Sequence, residues 1–137
     1  MNLDIVNVPA DGLCFYHAVS KNFWPASSPQ GSVIKELVIA YLKSLPLENK
    51  NKYIIPTAMS FDEYVNYIKD DWADNFMIAA TADCFNLLIK IYINYSGTQN
   101  GPICIGPINR KNEEPKTISV MLVNEHYLAL IPKNNPV

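Results

Sequence analysis

Residues 117–131, TISVMLVNEHYLALI, hold two runs of β-forming residues with only Asn124-Glu125-His126 between them. Runs rich in Val, Ile, Thr and Tyr suit pleated, half-buried surfaces. Two such runs joined this closely read as a tight hairpin, and a hairpin near the end of a chain needs a layer to pack against. Upstream, LIKIYIN (residues 88–94) has period two and high β-propensity, ICIG (103–106) is a short strand, and NLDIVNV (2–8) is a weaker strand that Pro9 breaks. The segments 95–102 and 109–115 are polar and turn-rich, and read as loops.

The stretches between the first strand and residue 85 carry helical periods instead. Phe15, Ala18, Val19 and Phe23 recur at helical spacing over residues 14–23, and Trp24-Pro25 ends that helix. Ser28-Pro29 is expected to open a second helix, buried through Ile34, Leu37, Val38, Tyr41 and Leu45. Residues 45–58 read as a loop. Ser60 with Glu63 three positions later forms a capping box, which starts a helix running to about Asp70. Another helix begins near Asp74 and buries Phe76, Ile78, Ala82 and Phe85. Helices first and strands later predict an α+β fold, with helices layered against a small mixed or antiparallel sheet.

At 137 residues the chain reads as a single domain, residues 1–137, and 49% hydrophobic residues suit a packed core. The net charge of −2 gives no basic face for nucleic acid. No apolar run reaches the length of a membrane span, and no basic-then-apolar leader opens the sequence, so neither a membrane nor a secretory route is expected. Three cysteines, Cys14, Cys84 and Cys104, without a CxxC pair, argue against a disulfide framework and a zinc site and point to a reducing compartment.

The segment PADGLCFYHAV (9–19) places Cys14 at the start of a predicted helix, just after Asp11-Gly12. Amides at a helix start lack intrahelical partners, and the helix dipole there favours negative charge, hence a thiolate. Gly12 permits a turn that aims several N–H groups at one point, a candidate oxyanion hole. The same residues also suit a plainer role, with Asp11 as a cap, Gly12 as a turn and Cys14 as a small buried apolar group. A thiolate nucleophile needs a base, and the chain has two histidines. His17 lies on the same helix and reads as a packed, hydrogen-bonded residue, which leaves His126, at the hairpin, as the partner for Cys14. Cys84 and Cys104 lie in apolar runs and read as inert, and Trp72 reads as a core anchor.

Three blocks taken in order resemble the ovarian-tumour (OTU) cysteine proteases: VPADGLCFYHAV around Cys14, DDWADNFMIAATADCFNLLIKIYI, and NEHYLALIP around His126. The resemblance spans most of the chain. It implies a papain-like OTU fold, the small sheet packed between helices, with Cys14 as nucleophile and His126 as general base. It also makes the backbone amides of Asp11, Gly12 and Cys14 the oxyanion-hole region. His17 falls where the family often has Arg or His, and Leu13 departs from a position often filled by Asn or Asp.

The third catalytic member is where the chain departs most. Many family enzymes carry Asp or Asn two residues after the histidine, and here that residue is Leu128, which orients nothing by hydrogen bonding and is expected to pack in the core. Asn124, two residues before His126, would share its face if the chain is extended there, and is the first candidate. Asp4 on the upstream strand is the alternative, and a bare Cys–His dyad the third.

The resemblance implies a deubiquitinating cysteine isopeptidase that cleaves after the C-terminal glycine of ubiquitin or a ubiquitin-like modifier. It would use no metal and no organic cofactor, and act as a monomer in the cytoplasm, or in a host's cytoplasm if the source is a virus or an injecting bacterium. A catalytically impaired OTU-like ubiquitin-binding module and a papain-like activity on another amide are the competing readings. The ubiquitin tail, Arg-Leu-Arg-Gly-Gly, calls for acids in the cleft. Asp62, Glu63, Asp70, Asp71, Asp74, Glu113 and Glu114 are available, most of them expected on solvated helix faces or caps.

Overall fold

The computed structural model describes residues 3–93, 101–109 and 111–133. Strand β1 (Leu3–Val6) is followed by helices α1 (Cys14–Phe23), α2 (Gly31–Ser44), α3 (Leu47–Lys50), α4 (Phe61–Ile68) and α5 (Asn75–Phe85). Strands β2 (Leu87–Ile93), β3 (Ile103–Ile105), β4 (Lys116–Val123) and β5 (His126–Pro132) complete the described elements. The strands form one sheet in the order β1-β5-β4-β2-β3. It is mixed: β2 and β4 run parallel, and the other neighbours are antiparallel. The expected loop 95–102 lies mostly outside the described residues.

Period-two patterning sorts the strands. Leu87, Ile89 and Ile91 of β2, Ile118 and Val120 of β4, and Ala129 and Ile131 of β5 all join the main core. Against them pack Phe15, Ala18 and Val19 of α1, Ile34 and Val38 of α2, Tyr64, Val65 and Ile68 of α4, and Phe76, Met77, Ile78, Ala80 and Ala82 of α5. Helix α1 lies on β5 and β4, and α5 lies on β2, so the start of α1 sits close to the start of β5.

The helix starts follow local chemistry. The expected capping box is formed: Ser60 Oγ accepts from Glu63 N–H at 3.2 Å and Glu63 Oε1 from Ser60 N–H at 3.1 Å. Asp74 caps α5 through Met77 N–H at 2.9 Å. Helix α2 starts at Gly31 rather than at Ser28-Pro29, with Gln30 as its cap. Its buried stripe is Ile34, Val38 and Leu42, while Leu37 is 48% exposed because it falls on the outer side of that stripe. Helix α3 occupies part of the stretch read as a loop; Pro46 starts it with its fixed φ.

One buried carboxylate ties α5 to the segment after β3. Asp83, fully buried, accepts from Tyr41 and Tyr53 hydroxyls at 3.0 and 2.7 Å and from the Asn109 backbone and side-chain N–H groups at 2.8 Å each. A buried charge is tolerated when hydrogen bonds surround it in this way.

Candidate active site

Cys14 is the first residue of α1 and is almost completely buried. Its sulfur accepts from the backbone N–H of Tyr127 at 3.5 Å. Tyr127 follows His126, so the packing of α1 on β5 brings Cys14 within one residue of the histidine, across 112 positions of chain. The Phe15 ring locks this approach edge-on against the Tyr127 ring, with centroids 5.3 Å apart.

His126 opens β5 directly after the hairpin turn. Asn124 and Glu125 both have positive φ, 49° and 66°, as a two-residue turn of the type I′ kind requires. The premise that made Asn124 share a face with His126 was an extended chain. The left-handed turn removes it, and Asn124 is an exposed residue at the hairpin tip. Asp4 is also away from the ring: it pairs with Ile131 in the β1–β5 ladder, and its carboxylate lies 3.8 Å from Lys133 Nζ.

The His126 ring meets Asn7 instead. Its Nε2 lies 3.3 Å from Asn7 Oδ1. Val8 N–H donates to the same oxygen at 3.0 Å, which fixes the amide with its oxygen toward the ring. An acceptor there makes Nε2 the protonated nitrogen. Nδ1, the other ring nitrogen, is buried without a hydrogen-bond partner among the described residues. The β1–β5 register explains why Asn7 reaches the ring. Val6 pairs with Ala129 at the last rung of the ladder, so Asn7, the next residue, leaves β1 toward the start of β5, where the ring lies. The amide thus comes from the chain just after the neighbouring strand. Nothing in the sequence showed this: Asn7 read as a residue at the end of a weak strand, and only strand register could single it out. Leu128 itself is half-buried opposite Met121, not fully enclosed in the core.

The Asp11–Leu13 turn precedes the cysteine. Asp11 C=O accepts from Cys14 N–H at 3.1 Å, and Asp11 Oδ1 accepts from Leu13 N–H at 2.9 Å. The Leu13 amide holds the Asp11 carboxyl below the usual carboxylate range, against an opposing desolvation cost and with the His17 ring adding to the lowering. The Cys14 amide is therefore committed to the turn. The Gly12 amide has no such bond among the described residues, and the Asp11 amide has none beyond its own carboxylate.

His17 is buried, with Nδ1 accepting from Gly31 N–H at 3.0 Å and Nε2 3.4 Å from Asp11 Oδ2. Trp72 is not a core anchor. It is 51% exposed, and its indole lies over Gly12, 3.8 Å from where a side chain there would begin. It lies in the segment between α4, which ends at Ile68, and α5, and its ring sits beside the Gly12 turn rather than in the core.

Burial pushes the Cys84 thiol up to about 11, whereas Cys104 is exposed. Asp62 pairs with Lys50 at 2.9 Å, and Glu63 and Asp74 serve as helix caps. Among the described residues no three His, Cys, Asp or Glu side chains gather as metal ligands would, and no helix is long and apolar enough to cross a membrane.

Comparison with known proteins agrees with this geometry. The model of the OTU-like cysteine protease family matches residues 9–128. Protein 232R of Invertebrate iridescent virus 6, named as a ubiquitin thioesterase, is 26% identical over 132 residues; the match takes in 93% of this chain but only 19% of that protein. The viral OTU domain protease of Taggert virus superposes with a TM-score of 0.67 at 21% identity, over 97% of this chain and 81% of that one. An OTU deubiquitinase of Wolbachia pipientis wMel, solved with ubiquitin bound, superposes with a TM-score of 0.66 at 11% identity, over 97% and 98%. With a cysteine at a helix start, a histidine at a strand start and a family match over most of its length, the chain belongs to the OTU-like cysteine proteases.

Proposed function

We propose that this chain is a thiol-dependent deubiquitinase that hydrolyses the bond after the C-terminal glycine of ubiquitin or a ubiquitin-like modifier. The observation that carries the reading is the convergence of Cys14, the Tyr127 amide, His126 and Asn7 at the junction of α1 and β5. Asn7 holds His126 with Nε2 protonated, so the buried Nδ1 is the nitrogen that takes the Cys14 proton. The thiolate attacks the glycine carbonyl carbon, and the carbonyl π electrons move onto oxygen. The Gly12 and Asp11 amides stabilise that oxyanion. When the C–N bond breaks, His126 gives its proton to the departing lysine amine and a thioester remains. Water, deprotonated by His126, attacks the thioester and releases the carboxylate and the Cys14 thiol.

The impaired-module reading rested on Leu128. Asn7 supplies the acceptor that Leu128 lacks, and no other observation favours that reading. The enzyme would meet its substrate as a monomer in a reducing cytoplasm, without metal or organic cofactor.

The test is incubation with ubiquitin bearing a C-terminal electrophile and with a ubiquitin–fluorophore amide. Wild type forms a covalent adduct and releases the fluorophore, and Cys14→Ala does neither. Absence of both in well-folded wild type would overturn the proposal.

A further inference from the structure

His17 makes two contacts that point different ways. Its Nδ1 accepts from Gly31 N–H at 3.0 Å. That bond leaves Nε2 as the protonated nitrogen, and Nε2 faces the Asp11 carboxylate, 3.3 Å from Oδ1 and 3.4 Å from Oδ2. Asp11 in turn binds the Leu13 amide through its carboxylate and the Cys14 amide through its carbonyl, at 2.9 and 3.1 Å. A chain of hydrogen bonds therefore runs from the start of α2, through the histidine and the Asp11 carboxylate, to the Leu13 amide in the turn before Cys14. The histidine end is held: the ring is buried, bonded to Gly31 N–H, and packed so closely on that glycine that a side chain there would begin 2.6 Å from Nδ1. The Asp11 end is not, because that side chain is 52% exposed. A hydrogen bond to so exposed a partner contributes little to stability. What the contact sets is the shape of the turn.

We propose that His17 is a positioning residue for the reaction: locked in one tautomer by Gly31, it holds Asp11, and so keeps the Asp11 and Gly12 amides aimed at the carbonyl that Cys14 attacks. The assignment rests on the deubiquitinase reading for its kinetic part only.

Two substitutions separate the two contacts. Asn at this position places its amide oxygen near the site of Nδ1, keeping the Gly31 bond and losing Asp11. Gln reaches the site of Nε2, keeping a donor to Asp11 and losing the Gly31 bond. On ubiquitin–fluorophore amide, His17→Asn should lower kcat about tenfold or more with KM little changed, part of the roughly 10²–10³-fold that one oxyanion donor contributes. His17→Gln should recover most of that loss although its Tm falls at least as far. Loss of kcat in proportion to Tm in both variants, or wild-type kcat in His17→Asn, would overturn the proposal.

If wild type proves inactive on ubiquitin, NMR still decides the positioning role. Exchange of the Leu13 amide should quicken in His17→Asn and stay near wild type in His17→Gln, and the 15N signals of His17 should show Nδ1 unprotonated. Equal exchange in both variants would refute it.

Discussion

Asn7 Oδ1 sits 3.3 Å from His126 Nε2, so the amide that meets the histidine ring is supplied by the chain just after β1, 119 positions away, and not by the hairpin that carries the ring. Losing it frees the imidazole to rotate and to change tautomer. Asn7→Ala should therefore lower kcat, by less than the about 10²–10⁴-fold that a positioned base contributes. Asn7→Asp keeps an acceptor and should retain more activity than Asn7→Ala. Asn124→Ala should turn over like wild type. Steady-state kinetics on a ubiquitin–fluorophore amide checks all three. A large loss at Asn124 with none at Asn7 would restore the hairpin residue as the orienter.

The three cysteines should separate by reagent. Cys84, its thiol held by burial near 11, stays protonated at neutral pH and should resist a small alkylating agent that modifies exposed Cys104. The ubiquitin electrophile should label Cys14 alone. Peptide mapping by mass spectrometry reads both patterns; ubiquitin adducts on Cys84 would contradict the site.

Asp11 should titrate low. Its folded-state pKa is depressed, chiefly by the Leu13 amide, so its contribution to stability is present above the unfolded value of about 3.9 and is lost as pH falls through the folded value. A 13C titration of the Asp11 carboxyl should show a midpoint below that of a model peptide. Leu13→Pro, which removes the donating N–H, should raise it. Since the side chain is half-exposed, removing the charge with Asp11→Asn should change the acid limb of the stability curve only slightly.

Gly31→Ala should destabilise the fold. A methyl group there would stand 2.6 Å from His17 Nδ1 and 2.9 Å from the His17 backbone nitrogen, and a backbone atom of α1 cannot swing aside. The gain in helix propensity, about 1 kcal/mol, is opposed by overpacking of about 1–3 kcal/mol. Thermal unfolding should show a lower Tm. An unchanged or higher Tm would mean that α1 and α2 separate freely.

The sequence by itself determined the parts whose signals are local. The capping box at Ser60–Glu63, the cap at Asp74, the helix that begins at Cys14 and the β runs at the end of the chain are written in neighbouring residues, because propensity and capping act over one or two turns. So is the chemistry of the turn before Cys14, where Asp11 and Gly12 do their work within three positions of the sulfur. The scarcity of histidine singled out His126 as the partner of Cys14, and the fold bonds the Cys14 sulfur to the amide of the next residue, Tyr127.

Tertiary structure decided what depends on distant segments. Whether Asn124, Asp4 or Asn7 meets the histidine turns on a left-handed hairpin and on the β1–β5 register, and a period-two pattern in a short strand does not specify which partner residue lies opposite. Trp72 reads as a core residue by type, yet it lies half-exposed over Gly12, because where α4 ends and how it packs place the ring. His17 reads as structural from its helix position. Its Nδ1 bond to Gly31 N–H, which sets the ring's tautomer, exists only because α2 approaches α1 closely there.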